Sequence, residues 1–212
     1  WAFLTWCRAW EWRSEENIWA ASIRDGGRWD RPRINMAANY MRMGLYLKAK
    51  PIYEAMIRSH PQLGLPYSNL AYIYEKEGRR DLAMSTYREC VKRNPRMFQA
   101  WYNLAIALES IDLQAAGETY QVVLQIRPYW LPALNRLGMV YALQGDWVQA
   151  EWHCRQAHEG DPKMLDYLYN LAIILQEQGR HAEGIACLKQ LPRNFNMTPE
   201  MLMRIQAPQP TC

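Results

Sequence analysis

The chain has no run of 18 apolar residues and no low-complexity tract, so no stretch of it is long and apolar enough to cross a membrane alone. It has no glycine-rich phosphate loop, no GxSxG and no HExxH, so no familiar catalytic motif marks it as an enzyme. Its five cysteines, Cys7, Cys90, Cys154, Cys187 and Cys212, are odd in number and show no CxxC, CxxCH or zinc-type spacing. That excludes the usual metal and redox frames. An excess of one charge is also lacking. Against 25 Lys and Arg stand 21 Asp and Glu, for a net +4. A nucleic-acid binder concentrates its basic residues, whereas this mixture is that of solvated helix faces. Of the four histidines, His153 and His158 lie five apart. That spacing puts them on different faces of a helix, so they are expected to be exposed helix residues and not a metal pair. No metal, cofactor or nucleic acid is implied.

What is present is a globular balance, half apolar and 22% charged, with a regular period. Pro61, Pro95, Pro128 and Pro162 follow at 34, 33 and 34 residues. Gly44, Gly78, Gly145 and Gly179 are spaced 34, 67 and 34, and Ala49, Ala83, Ala116 and Ala150 are spaced 34, 33 and 34. Three residue types in one phase define a repeat of about 34 residues. The 33-residue step is a deletion at Ser110-Ile111-Asp112, which lacks the glycine. A turn between elements tolerates such a change best.

Within each repeat the apolar residues fall on two helical faces. Tyr67, Leu70, Ala71 and Tyr74, like Leu134, Leu137, Gly138 and Tyr141, step by three, one and three, which marks one side of a helix. Ala83, Tyr87 and Cys90, or Ala116, Tyr120 and Val123, mark the helix that follows. Glycine turns the chain between the two, proline ends the second, and Cys90, Cys154 and Cys187 become small core residues.

A large residue, Leu, Gly or Ala, Tyr, Gly, Ala, an aromatic, Ala and Pro at these offsets resembles the tetratricopeptide repeat (TPR) family over about residues 30–195. Repeats two and four match nearly everywhere. Repeat one has Arg33 at its first large position. Repeat five has Gly184 in place of Ala and Pro192 four residues early, as at an array end. The resemblance implies an all-α chain, a right-handed α-solenoid of about five helix hairpins with an N-terminal helical cap. It also implies a scaffold with an extended concave binding surface for a protein or peptide partner. Residues 1–30 form a tryptophan-rich cap or membrane-proximal segment with a half-repeat, 31–196 the array, and 197–212 a C-terminal helix and tail.

Six of the ten tryptophans lie in the first 29 residues. Ser14, Glu15 and Glu16 open a helix expected to run to Arg24. Trp1, Phe3, Leu4, Trp6, Trp10 and Trp12 are too many large rings for one core. They read either as a capping helix or as the interfacial end of a membrane helix, where Trp gathers. The chain starts at Trp1 without Met, as a fragment or processed product would. Trp10, Trp12-Arg13-Ser14-Glu15 and Ile18-Trp19 ahead of TPRs resemble the junction in membrane-embedded O-mannosyltransferase-like proteins. That resemblance implies a non-catalytic, substrate-recruiting tail on the extracytoplasmic side, whereas Arg8 and Arg13 favour a cytoplasmic side. Self-assembly into a homo-oligomer or filament through this edge is a third reading. Asn196-Met197-Thr198 matches a glycosylation acceptor, and Thr198-Pro199 also suits a helix start.

The candidate binding residues are polar. Just before the Leu of each first helix stand Asn35, Asn69, Asn103, Arg136 and Asn170. An amide both donates and accepts, so such a column can serve an extended peptide backbone. It resembles the asparagine ladder of the TPR superhelix in O-GlcNAc transferases. Arg136 interrupts it and could read a carboxylate. Tyr72, Ile106, Met139 and Ile173, three residues on, with Tyr102 and Tyr169 beside the asparagines, give an apolar floor or pack between helices. Lysines for a chaperone-type carboxylate clamp are wanting, Lys76 being the sole candidate.

Overall fold

A computed structural model describes residues 30–192, with side-chain surroundings from residue 34 onward. The tryptophan-rich segment, the helix expected over 14–24, the Asn196 acceptor and the terminal segment 197–212 lie outside the described residues. Within them the chain forms ten α-helices and no strand. They run α1 (Asp30–Arg42), α2 (Tyr46–Ser59), α3 (Gly64–Lys76), α4 (Arg80–Arg93), α5 (Phe98–Leu108), α6 (Leu113–Ile126), α7 (Leu131–Leu143), α8 (Trp147–Gly160), α9 (Leu165–Glu177) and α10 (His181–Gln190). In chain order these are five helix hairpins, as the period predicts.

The hairpin turns are set by glycine. Gly44, Gly78, Gly145 and Gly179 have φ of 71°, 75°, 82° and 79°, a left-handed conformation that other residues adopt only with strain. The residue after each glycine donates its N–H five residues back, Leu45 to Tyr40 O, Arg79 to Tyr74 O, Asp146 to Tyr141 O and Arg180 to Leu175 O, at 2.8–2.9 Å. That bond is the Schellman closure. Repeat three lacks the glycine and closes otherwise. Asp112 N–H donates to Leu108 O, and the Asp112 carboxylate accepts from Ala115 N–H at 3.0 Å, capping α6.

The ends of α2, α4, α6 and α8 share one cause. Each cap residue, His60, Asn94, Arg127 and Asp161, precedes proline and has ψ between 69° and 88°. The proline ring denies its neighbour the helical conformation. In repeat five the early Pro192 follows Leu191, with ψ 136°, and α10 has ten residues where the other closing helices have 14.

The chain divides between Ala100 and Trp101 into two compact units. In the first, Ala37, Ala49, Tyr53, Met56, Leu70 and Ile73 form a continuous core. In the second, Ala150, Cys154, Leu171, Ile174 and Leu175 pack together, and Leu168, Ala172, Leu188 and Leu191 form the neighbouring cluster. Small residues govern the helix approach. A Cβ on Gly138 would stand 2.5 Å from Cys154 Sγ and 3.0 Å from Ala150 O, and one on Gly184 would stand 2.8 Å from Ala172 O. The exchange of Ala for Gly184 in repeat five is therefore steric.

Cys90 and Cys154 are fully buried free thiols, pushed by burial up to about 11 and about 12. They are inert core residues, as expected. The histidines correct the sequence reading in part. His153 is not an exposed helix residue. It is 9% exposed, stacked on Tyr141 at 5.4 Å and edge-on to Trp152 at 4.6 Å. Position 153 falls on the inward stripe of α8 with Ala150, Cys154 and Ala157, at i, i+3, i+4 and i+7, so spacing against the core already places it inside. Among the described residues no helix is long and apolar enough to cross a membrane, and no group of three or more His, Cys, Asp or Glu could hold a metal ion.

Candidate peptide-binding cleft

The second unit contains a cleft of about 450 Å³ over its first-type helices, lined by Glu109, Asn135, Arg136, Met139, Val140, Leu143, Asp166, Tyr169 and Asn170. That volume lies within the range of ligand sites, roughly 300–1,000 Å³. Of the residues picked from the sequence, the cleft collects Arg136, Met139, Tyr169 and Asn170. Tyr102 and Asn103 belong to the same unit without lining it. Tyr102 packs edge-on against Trp130 at 4.4 Å and Tyr120 at 5.8 Å. Asn35, Asn69 and Tyr72 lie in the first unit. Asn69 Nδ2 donates to the hydroxyl of buried Tyr53 at 3.0 Å. Tyr72 packs edge-on against Tyr46 and beneath the Lys76 ammonium, 5.0 Å from its ring. Asn35 is exposed on α1.

Two hydrogen-bonded pairs define the chemistry of the cleft. On α9, Asn170 Nδ2 donates to Asn135 Oδ1 on α7 at 3.0 Å. Asn135 is buried, and its Oδ1 also lies 3.8 Å from the Cys154 thiol. The bond fixes both amides. It leaves Asn135 Nδ2, a donor, and Asn170 Oδ1, an acceptor, without partners among the described residues. An amide turned the other way would set two like atoms together.

The second pair is Arg136 Nη1 to Glu109 Oε2 at 3.0 Å. Glu109 accepts again through Oε1 from the Tyr120 hydroxyl at 2.5 Å. Burial first, then the Glu109 hydrogen bond, pushes the Tyr120 phenol upward. Burial disfavours the Arg136 charge, but Glu109 outweighs it and the net shift is upward. Arg136 is thus an engaged cation and not a free reader of carboxylates, which corrects that part of the sequence reading. The pairing reaches 27 residues along the chain, so spacing within a repeat could not disclose it.

The sequence reading missed Asn135, Glu109, Val140, Leu143 and Asp166. Asn135 lies one position off the asparagine column and shares the buried face with Leu134. The signal for Glu109 was periodic. Glu75 occupies the same place in repeat two and accepts from the Tyr87 hydroxyl at 3.3 Å, as Glu109 does from Tyr120. Repeat four replaces both partners, with Ala142 and Cys154.

Two family models described as tetratricopeptide repeat match residues 141–203 and 66–97. These are tetratricopeptide repeats. Photosystem I assembly protein Ycf3 of Acaryochloris marina (strain MBIC 11017) is 31% identical over 71 residues, 34% of this chain and 43% of that protein. The matched stretch thus spans less than half of the relative's length. Solved TPR folds are similar at low identity. PilF of Pseudomonas aeruginosa has a TM-score of 0.73 at 16% identity, covering 81% of this chain and 79% of its own. YrrB, described as a TPR protein with an unusual peptide-binding site, has 0.70 at 16%, covering 89% and 96%. MamA from Desulfovibrio magneticus RS-1 has 0.69 at 17%, covering 76% and 91%. The TPR hairpins of this chain are of the kind that serves as a protein-interaction scaffold.

Proposed function

We propose that the chain is a non-catalytic scaffold that holds an extended peptide in the cleft over α7 and α9. The observation that carries this reading is the Asn170–Asn135 hydrogen bond. It leaves one open donor, Asn135 Nδ2, and one open acceptor, Asn170 Oδ1, the two functions that the C=O and N–H of one residue in an extended peptide require. The apolar walls, Met139, Val140, Leu143 and Tyr169, supply contact for one side chain. The peptide-binding description of YrrB accords with this use of the fold. In the first unit Asn35, Asn69 and Tyr72, and in the second Tyr102 and Asn103, extend the reading by repeat position alone.

The test uses a random library of ten-residue peptides displayed against the full chain, the strongest binder being resynthesised as the probe. Asn170→Ala should weaken its binding by up to roughly tenfold, since one neutral hydrogen bond contributes about 0.5–1.5 kcal/mol. Met139→Ala should weaken it further. Glu118→Ala, on the exposed face of α6, is the control. Binding indifferent to both cleft variants but lost with Glu118→Ala would overturn the proposal.

A further inference from the structure

The cleft is built for more than a backbone. It holds two carboxylates, Glu109 and Asp166, against one guanidinium, Arg136. Arg136 is already committed to Glu109 at 3.0 Å. Asp166 sits in the first turn of α9 and forms no ion pair among the described residues. The unbalanced charge facing the cleft is therefore negative and resides on Asp166. Neither repeat alignment nor the helix core calls for it. The equivalent places in repeats two, three and four are Leu65, Gln99 and Pro132.

The apolar side of the cleft is also peculiar to repeat four. Leu143 is 68% exposed at the rim, where repeats two and three carry Lys76 and Ser110. Val140 is buried beneath it, and Met139 is half-buried between the cleft and the core. An exposed Leu beside a flexible Met makes an apolar wall that adapts to an unbranched side chain. The next residue of a bound chain then has a carboxylate to meet and no free cation.

Resting on the peptide-binding reading, we propose that this cleft selects a peptide in which a long apolar residue stands beside a lysine or arginine. The apolar side chain lies against Met139 and Leu143, and the cationic end reaches Asp166. A lysine or arginine stem can cover apolar surface while its charge stays at the wet rim. An acidic neighbour in the peptide meets repulsion at Asp166 and an Arg136 whose charge is already matched.

The test takes three synthetic ten-residue peptides of Gly and Ser, with Met-Lys, Met-Ser or Met-Glu at the centre. Each is titrated into the full chain at low and high salt. Met-Lys should bind tighter than Met-Glu by about tenfold at low salt, a steering and pairing effect that salt screens. Asp166→Asn should bring the two to within about twofold of each other, with thermal unfolding unchanged because the side chain is exposed. Equal affinities, or a preference for Met-Glu, overturn the charge selection. If binding shows no charge preference yet weakens with Met139→Ala, this inference falls and the peptide-binding reading stands. If none of the three binds, or if binding ignores Met139→Ala, both fall.

Discussion

Asn170 on α9 donates from Nδ2 to Asn135 Oδ1 on α7 at 3.0 Å, joining the first helices of two consecutive repeats through their amides. Helix approach alone would be met by apolar residues. A buried amide is tolerated only when bonded, so this pair costs desolvation and returns orientation. A double-mutant cycle over Asn135→Ala and Asn170→Ala, read by denaturant unfolding, should give a coupling of about 0.5–1.5 kcal/mol. A coupling of zero would show that the amides are not held together.

The glycines of the two hairpins in this region should respond in opposite directions to alanine. At Gly138 the added Cβ meets Cys154 Sγ at 2.5 Å and Ala150 O at 3.0 Å. Gly138→Ala should therefore destabilise the unit by about 1–3 kcal/mol, the usual cost of overpacking. At Gly117 the nearest atom is Val140 Cγ1 at 3.5 Å, an ordinary contact. Gly117→Ala should stabilise by about 0.5–1 kcal/mol through helix propensity. Unfolding midpoints of the two variants check the pair, and a stabilised Gly138→Ala would contradict the packing described.

His153 should make the fold acid-sensitive. Burial lowers its pKa from the usual 6.5 to about 4, and its Nδ1 has no hydrogen-bond partner among the described residues. Between those values the unfolded chain binds the proton and the folded chain does not. Stability is thus fully present above pH 6.5 and falls as the pH drops toward 4. The loss should be on the order of 1–2 kcal/mol, less than the whole shift because water reaches part of the ring. His153→Gln should flatten this segment of the stability profile. An unchanged slope would assign the acid sensitivity elsewhere.

What the sequence disclosed was the part governed by local chemistry. Gly44, Gly78, Gly145 and Gly179 close the turns, and the residues before Pro61, Pro95, Pro128 and Pro162 stop the helices. Steric rules for single residues decide both, so position suffices. The deletion at Ser110-Ile111-Asp112 was placed for the same reason. The asparagine column led to Asn170 but not to Asn135, because a buried partner on the preceding repeat follows from helix approach and not from spacing. Arg136 stood out as an interruption, yet its engagement by Glu109 depends on a carboxylate 27 residues away. His153 was misplaced because it was compared with His158 alone, whereas its spacing from Ala150, Cys154 and Ala157 sets it on the buried stripe of α8.

The most direct test of the cleft as the binding site is a titration of methyl-labelled methionine with the selected ten-residue peptide, followed by NMR. Met139 lines the cleft, Met164 is 44% exposed at the start of α9 outside it, and Met56 is buried in the first unit. The account predicts that the Met139 methyl signal moves in proportion to occupancy while Met164 and Met56 stay in place. Movement of Met164 or Met56 with Met139 unmoved would contradict it.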